Sequence, residues 1–103
     1  MAPRVSVIVK FTCSQGRRDE FADSMEALFA QTEAEQGAVV YVLNDDADDP
    51  DVLWMYELYA DQDAFDAHCS GNEVLAFFPS LGGALMAAPP EIHMMTVRRA
   101  KGD

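Results

Sequence analysis

Between Asp19 and Val97 the chain has no lysine or arginine. All seven basic residues lie toward the ends: Arg4, Lys10, Arg17 and Arg18 on one side, Arg98, Arg99 and Lys101 on the other. Seventeen of the 18 acids fall in the stretch between, and the formal net charge is −11. So much acid argues against nucleic acid as a partner, because phosphate binding needs clustered cations. It argues equally against an anionic membrane surface. No run approaches the ~20 apolar residues of a membrane-spanning helix. The first residues, one Arg and a short apolar run broken by Lys10, are too short for a secretion signal. Only two cysteines are present, Cys13 and Cys69, and free, reduced thiols in a soluble cytoplasmic protein are expected. Phosphate loop, Rossmann glycine pattern and cysteine–histidine metal spacing are all missing.

What is present is apolar: 50% of the 103 residues are hydrophobic. A chain of this size can bury roughly two-thirds of its unfolded surface, so one domain over residues 1–103 with a core of its own is expected. Val5–Thr12 (VSVIVKFT) alternates and is β-branched, which predicts a strand; Ser14-Gln15-Gly16 ends it. Over Arg17–Gln36 the period changes. Phe21, Met25, Leu28, Phe29 and Thr32 form one helical stripe, with Asp23, Glu26, Glu33 and Glu35 outside it and read as solvated. Gly37 stands where a helix C-cap glycine belongs. Ala38–Asn44 and Val52–Tyr59 predict two strands. Between them, the acids of Asp45–Asp51 (DDADDPD) lack the glycine and terminal Glu of a calcium loop and read as a hairpin turn. Asp61 is placed to cap a second helix, an irregular helical stretch follows over Glu73–Leu85, and Glu91–Arg99 predicts a last strand.

The order strand, helix, strand, strand, helix, strand is the ferredoxin-like βαββαβ arrangement: an α+β fold with helices on one face of a four-stranded antiparallel sheet. Periodicity alone leaves another α+β topology open. Helices cover only one face of such a sheet, yet the strands are apolar on both. Val52, Trp54, Tyr56 and Leu58 alternate with Leu53, Met55, Glu57 and Tyr59, and Ile92, Met94 and Thr96 alternate with His93, Met95 and Val97. An apolar second face calls for a cover, and a second copy of the chain, making a homodimer, is the economical one. Because the first and last strands of this fold are neighbours, Arg4 comes close to Arg98 and Arg99. Acids from a partner subunit or from the acidic helices are expected to answer them.

Three features resemble the antibiotic biosynthesis monooxygenase-like domains, small dimeric α+β barrels. They are the opening strand and turn followed by Gly16-Arg17-Arg18-Asp19-Glu20-Phe21, the Asp-rich turn leading into a strand that ends Tyr56-Glu57-Leu58-Tyr59, and Asp61–His68 (DQDAFDAH) with its Ala-His ending. The chain departs from the family in having Tyr59 where a Trp often follows the Glu, and Asn72-Glu73 where a second His is frequent. The first strand contains no Asn, which sets the chain apart from the haem-degrading branch. The resemblance implies a cofactor-independent monooxygenase (no cofactor, no metal) acting on a hydroxylated aromatic or quinone-like small molecule. It also leaves two alternatives: a non-enzymatic ligand-binding or interaction module on the same dimer, and a small-carbonyl isomerase.

Within that frame His68 is the candidate catalytic base, since imidazole exchanges protons near neutrality; a structural His capping carbonyls is the competing reading. Glu57, on an otherwise apolar strand face, must be paired or raised in pKa. It either serves the catalytic proton transfer or forms a structural ion pair. Tyr59, Tyr41 and Asn44 are candidates to hold a substrate oxygen. Phe65 is a candidate wall residue, and Phe77 and Phe78 are candidates for a lid.

Overall fold

The computed structural model describes residues 2–103, with the backbone alone at residue 81. Four strands, β1 (Val5–Thr12), β2 (Ala38–Asp45), β3 (Val52–Tyr59) and β4 (Glu91–Thr96), form one antiparallel sheet in the order β2-β3-β1-β4. This is the ferredoxin-like order that the element sequence predicts. The helices are α1 (Arg18–Ser24), α2 (Glu26–Glu33), α3 (Gln62–Cys69), α4 (Asn72–Phe77) and α5 (Leu81–Ala84).

The core lies between β1, β3 and the helices. Val5, Val7, Val9 and Phe11 of β1 and Leu53, Met55 and Tyr59 of β3 meet Phe21, Met25 and Leu28 of the helical stripe. Register puts Val7 opposite Glu57 and Val9 opposite Met55. Residues directly opposite in an antiparallel pair share a face, so Glu57 lies within the helix-covered face. Tyr41 and Leu43 of β2 join it, opposite Glu57 and Met55.

Local chemistry fixes the connections. Gly16, at φ +75°, takes the left-handed turn after β1, and its N–H donates to Asp51 Oδ1 at 2.9 Å. In the acidic turn Asp46 accepts from the N–H groups of Asp48 and Asp49, both at 2.9 Å, and from Trp54 Nε1 at 2.7 Å. These acids order their own hairpin. Asp61 caps α3 by accepting from the Ala64 N–H at 2.8 Å.

Four expectations are corrected. The Arg17–Gln36 stripe is two helices, because Ser24 Oγ donates back to the Phe21 carbonyl at 2.6 Å and Met25 tightens to an i−3 bond; such back-bonding bends helices. Gly37 is not a left-handed cap, since Gly16 and Gly102 are the glycines with positive φ. Its lack of a side chain admits α3, as a Cβ there would sit 2.4 Å from the Ala64 Cβ. The last strand stops at Thr96, short of Arg99. Finally, four of the terminal bases find acids within the chain: Arg4 pairs with Asp103 at 2.6 Å, Lys10 with Glu91 at 3.8 Å, Arg18 with Asp45 at 3.7 Å and Arg17 with Glu20 of α1 at 2.7 Å. Arg18 also donates to the carbonyls of Asp46 and Asp49. Thus the C-terminal tail, the start of β4 and the hairpin turn supply acids beside the one that helix α1 supplies.

The other sheet face carries Val42, Tyr56 and Met95, 42%, 37% and 38% exposed. All six residues of β4 are exposed, including Ile92 and Met94 on the helix side, because the helical layer stops short of that edge.

Candidate active site

A cavity of about 110 Å³ lies between the helices and the sheet. Its floor is Val7, Val9 and Met55, its helical wall Met25, Leu28 and Phe65, and its mouth lies near Val74, Phe78 and Ile92. Almost everything that faces it is apolar. The polar exceptions are Glu57, His68, Tyr41 and Cys69, and no lysine or arginine is among the lining residues.

His68 is placed at the last turn of α3 and is 4% exposed. Its Nδ1 lies 2.7 Å from Glu35 Oε1. A carboxylate only accepts, so in the neutral ring Nδ1 carries the hydrogen and Nε2 is the bare nitrogen. Nε2 lies 3.9 Å from Glu57 Oε1, on the cavity side. Glu57 in turn accepts from the Tyr59 hydroxyl at 2.5 Å. The imidazole is further fixed by ring packing, with its centroid 5.4 Å from that of Tyr41 and 5.2 Å from that of Tyr59. Among the described residues no buried side-chain nitrogen or oxygen lacks a partner, as a polar cluster this deep requires.

Burial raises the Glu57 carboxyl above its ordinary pKa, partly opposed by the Tyr59 hydrogen bond and by His68. Burial, reinforced by the Glu57 charge, drives the hydroxyls of Tyr41 and Tyr59 well above the ordinary tyrosine value. Both therefore stay protonated and able to donate. Burial also raises the thiols of Cys13 and Cys69, which makes them poor nucleophiles. Among the described residues no group of three or more His, Cys, Asp or Glu is arranged to hold a metal. Glu35 and Glu57 lie against opposite nitrogens of His68 and do not converge on one point.

The candidates of the sequence divide accordingly. His68, Glu57, Tyr41, Phe65 and Phe78 come together around one cavity. Tyr59 is fully buried behind Glu57 and packs on Phe65 at 5.2 Å, so it holds the carboxylate and does not reach the cavity. Phe77 also lies behind the wall, packed on Phe21 at 5.5 Å, and Phe78 alone of the pair reaches the mouth. Asn44 does not join the site. It lies on the opposite sheet face, across from Trp54, and donates to the Trp54 carbonyl at 3.1 Å.

Two partners of His68 are absent from those candidates. Glu35 is read from the helical wheel as solvated, but α2 ends at Glu33 with Ala34 as its cap, so the wheel no longer governs its direction. Gln31 has no sequence signal at all. Its Nε2 donates to Glu35 Oε2 at 2.8 Å and to the His68 carbonyl at 3.2 Å, while its Oε1 accepts from the N–H groups of Glu73 and Val74 at 3.0 and 3.2 Å. A Cβ at Gly71 would come within 2.1 Å of that amide, so glycine admits it.

The raised Glu57 pKa carries a sign. An acid whose folded pKa exceeds its unfolded value destabilises the fold once ionised. Its favourable contribution is complete below the unfolded pKa and is lost as pH rises through the folded one. Glu57→Gln keeps an acceptor for Tyr59 and removes the buried charge. It is expected to raise the melting temperature at pH 7.5, by on the order of 1 kcal/mol of stability, and to have a smaller effect at pH 4. Thermal melts at the two pH values check this, and an equal effect at both would contradict it.

Residues 4–80 match the family description "antibiotic biosynthesis monooxygenase". No curated protein matches the sequence. Solved structures do. A protein of Caulobacter crescentus CB15, provisionally named an antibiotic biosynthesis monooxygenase, is 24% identical with a TM-score of 0.87, over 95% of this chain and 92% of its own. A similarly named protein of Nitrosomonas europaea is 20% identical with a TM-score of 0.87, over 99% and 97%. Rv0793 of Mycobacterium tuberculosis is 24% identical with a TM-score of 0.85, over 96% and 99%. Identities this low establish the shared fold alone, whereas the family match runs from the start of β1 through α4 and takes in every polar residue of the site. The chain belongs to the antibiotic biosynthesis monooxygenase family.

Proposed function

We propose that the protein is a homodimeric, cofactor-independent monooxygenase acting on a hydroxylated aromatic or quinol. Family membership supports a monooxygenase-like or small-molecule-binding function. The observation that carries the finer reading is the bare Nε2 of His68 at the polar end of an apolar cavity, with Nδ1–H held by Glu35 at 2.7 Å.

A ring hydroxyl at that end gives its proton to Nε2. The imidazolium that forms lies between Glu35 and Glu57, which stabilise it. The Tyr41 hydroxyl donates to an oxygen of the substrate anion. The electron-rich ring then reduces oxygen directly. For a 1,4-hydroquinone the reaction balances as hydroquinone plus O₂ giving 2-hydroxy-1,4-benzoquinone plus water. One oxygen atom joins ring carbon, the other leaves as water, and all four electrons come from the substrate. No outside reductant enters the balance.

Oxygen uptake with hydroquinones tests this reading. Uptake above the uncatalysed rate is expected, falling on the order of 10²-fold or more in His68→Ala. No enzymatic uptake across the series, or an unchanged rate in His68→Ala, would contradict it. Product without uptake would mark an isomerase, and binding without conversion a ligand-binding module.

The homodimer rests on the exposed apolar face of Val42, Tyr56 and Met95 and on the open edge strand β4. Stable interfaces cover roughly 800 Å² per partner, which a sheet face of this kind can supply. Sedimentation at twice the chain mass is expected, with Tyr56→Glu shifting the protein to the monomer. A monomeric parent protein would overturn the dimer and leave the chemistry to the uptake experiment.

A further inference from the structure

The cavity is selective as well as apolar, and its selectivity narrows the substrate class. We infer that it takes a single-ring, uncharged phenol or hydroquinone and rejects polycyclic and anionic ones. The inference rests on the reading of the cavity as the reactive site.

An apolar cavity of about 150 Å³ holds one benzene molecule. At about 110 Å³ the space behind the mouth is smaller than that, so it takes no more than a single ring, and a second ring would have to project through the mouth. The walls do not yield readily. Val7, Val9 and Met55 belong to the two central strands and are buried, and forcing extra volume into a packed core strains it. Give is confined to the mouth, where Phe78 and Ile92 are exposed.

Among the described residues no lysine or arginine lines the cavity; the ionisable groups that do are Glu57, His68, Tyr41 and Cys69, with Glu35 behind His68. A carboxylate on the ring would lie unpaired against apolar wall or beside Glu57, and an unpaired buried charge is costly. A neutral hydroxyl needs no counter-charge and meets His68 among the polar lining residues.

Binding to the full chain, followed by NMR through the ring signals of Tyr41, Phe65 and His68, separates this from simple partition. The probes are 4-methylphenol, 2-naphthol, 9-phenanthrol and 4-hydroxybenzoate at neutral pH. Partition alone favours the larger rings, because they bury more apolar area. The expected result is the reverse: 4-methylphenol binds at least tenfold more tightly than each of the others. Phe78→Ala is expected to raise the ratio of 2-naphthol to 4-methylphenol affinity at least tenfold, with Ile92→Ala as a second mouth variant. Polycyclic phenols or 4-hydroxybenzoate binding as tightly as 4-methylphenol would overturn the restriction, as would no perturbation of the cavity residues by any probe. Oxygen uptake on a polycyclic quinol would overturn the restriction and leave the monooxygenase reading standing. Binding of 4-methylphenol with no uptake on any single-ring hydroquinone would do the opposite.

Discussion

A histidine that is 4% exposed cannot be left without partners, and the 2.7 Å contact between His68 Nδ1 and Glu35 settles how this one is held. Much of the surrounding structure serves that contact. Glu35 arrives from beyond the end of α2, steadied by Gln31, whose amide also ties down the His68 carbonyl and the first turn of α4. Asp61 starts α3 in the phase that brings His68 to its inner side. Glycines at 37 and 71 let α3 and the Gln31 amide approach where a methyl group would collide. Fixing Nδ1 as the donor determines what the cavity meets: a bare nitrogen able to take a proton.

The rest of the polar cluster sets the electrostatics around that nitrogen. Glu57 is buried at a cost, and the Tyr59 hydroxyl at 2.5 Å offsets part of it. A protein selected for stability alone would place an apolar residue at this strand position; a carboxylate held against a desolvation penalty is the kind of strain that collects at working sites. The sheet shows the same tension on a larger scale. Its helix-covered face closes a core around β1 and β3, while the single chain leaves apolar side chains on its other face and its β4 edge uncovered.

The fold was legible because its strands alternate and its helical stripe has a clear period. β1 and β3 begin and end at the expected residues, and Asp61 caps α3 as a short polar side chain before a helix should. Departures came where side chains compete with the backbone or where packing overrides local preference. Ser24 broke the first helix and Gly37 served close packing instead of a left-handed turn. In the site, strand parity correctly put Glu57 on the face opposite Trp54, and His68 stood out as a lone imidazole. Glu35 and Gln31 were not legible: the first lies past a helix end where periodicity stops, and the second works through bonds to segments 37 to 43 positions away as well as to its neighbour. The face of Asn44 depends on the β2–β3 register, which sets it opposite Trp54 and is not written in its own strand.

The account depends on which nitrogen of His68 carries the hydrogen, and ¹⁵N NMR of the imidazole reads this directly at a pH where the ring is neutral. The predicted result is a protonated Nδ1 and a bare Nε2, with the preference weakened in Glu35→Gln. A neutral ring protonated at Nε2, unchanged by that substitution, would contradict it, because the His68 lone pair would then face Glu35 and not the cavity.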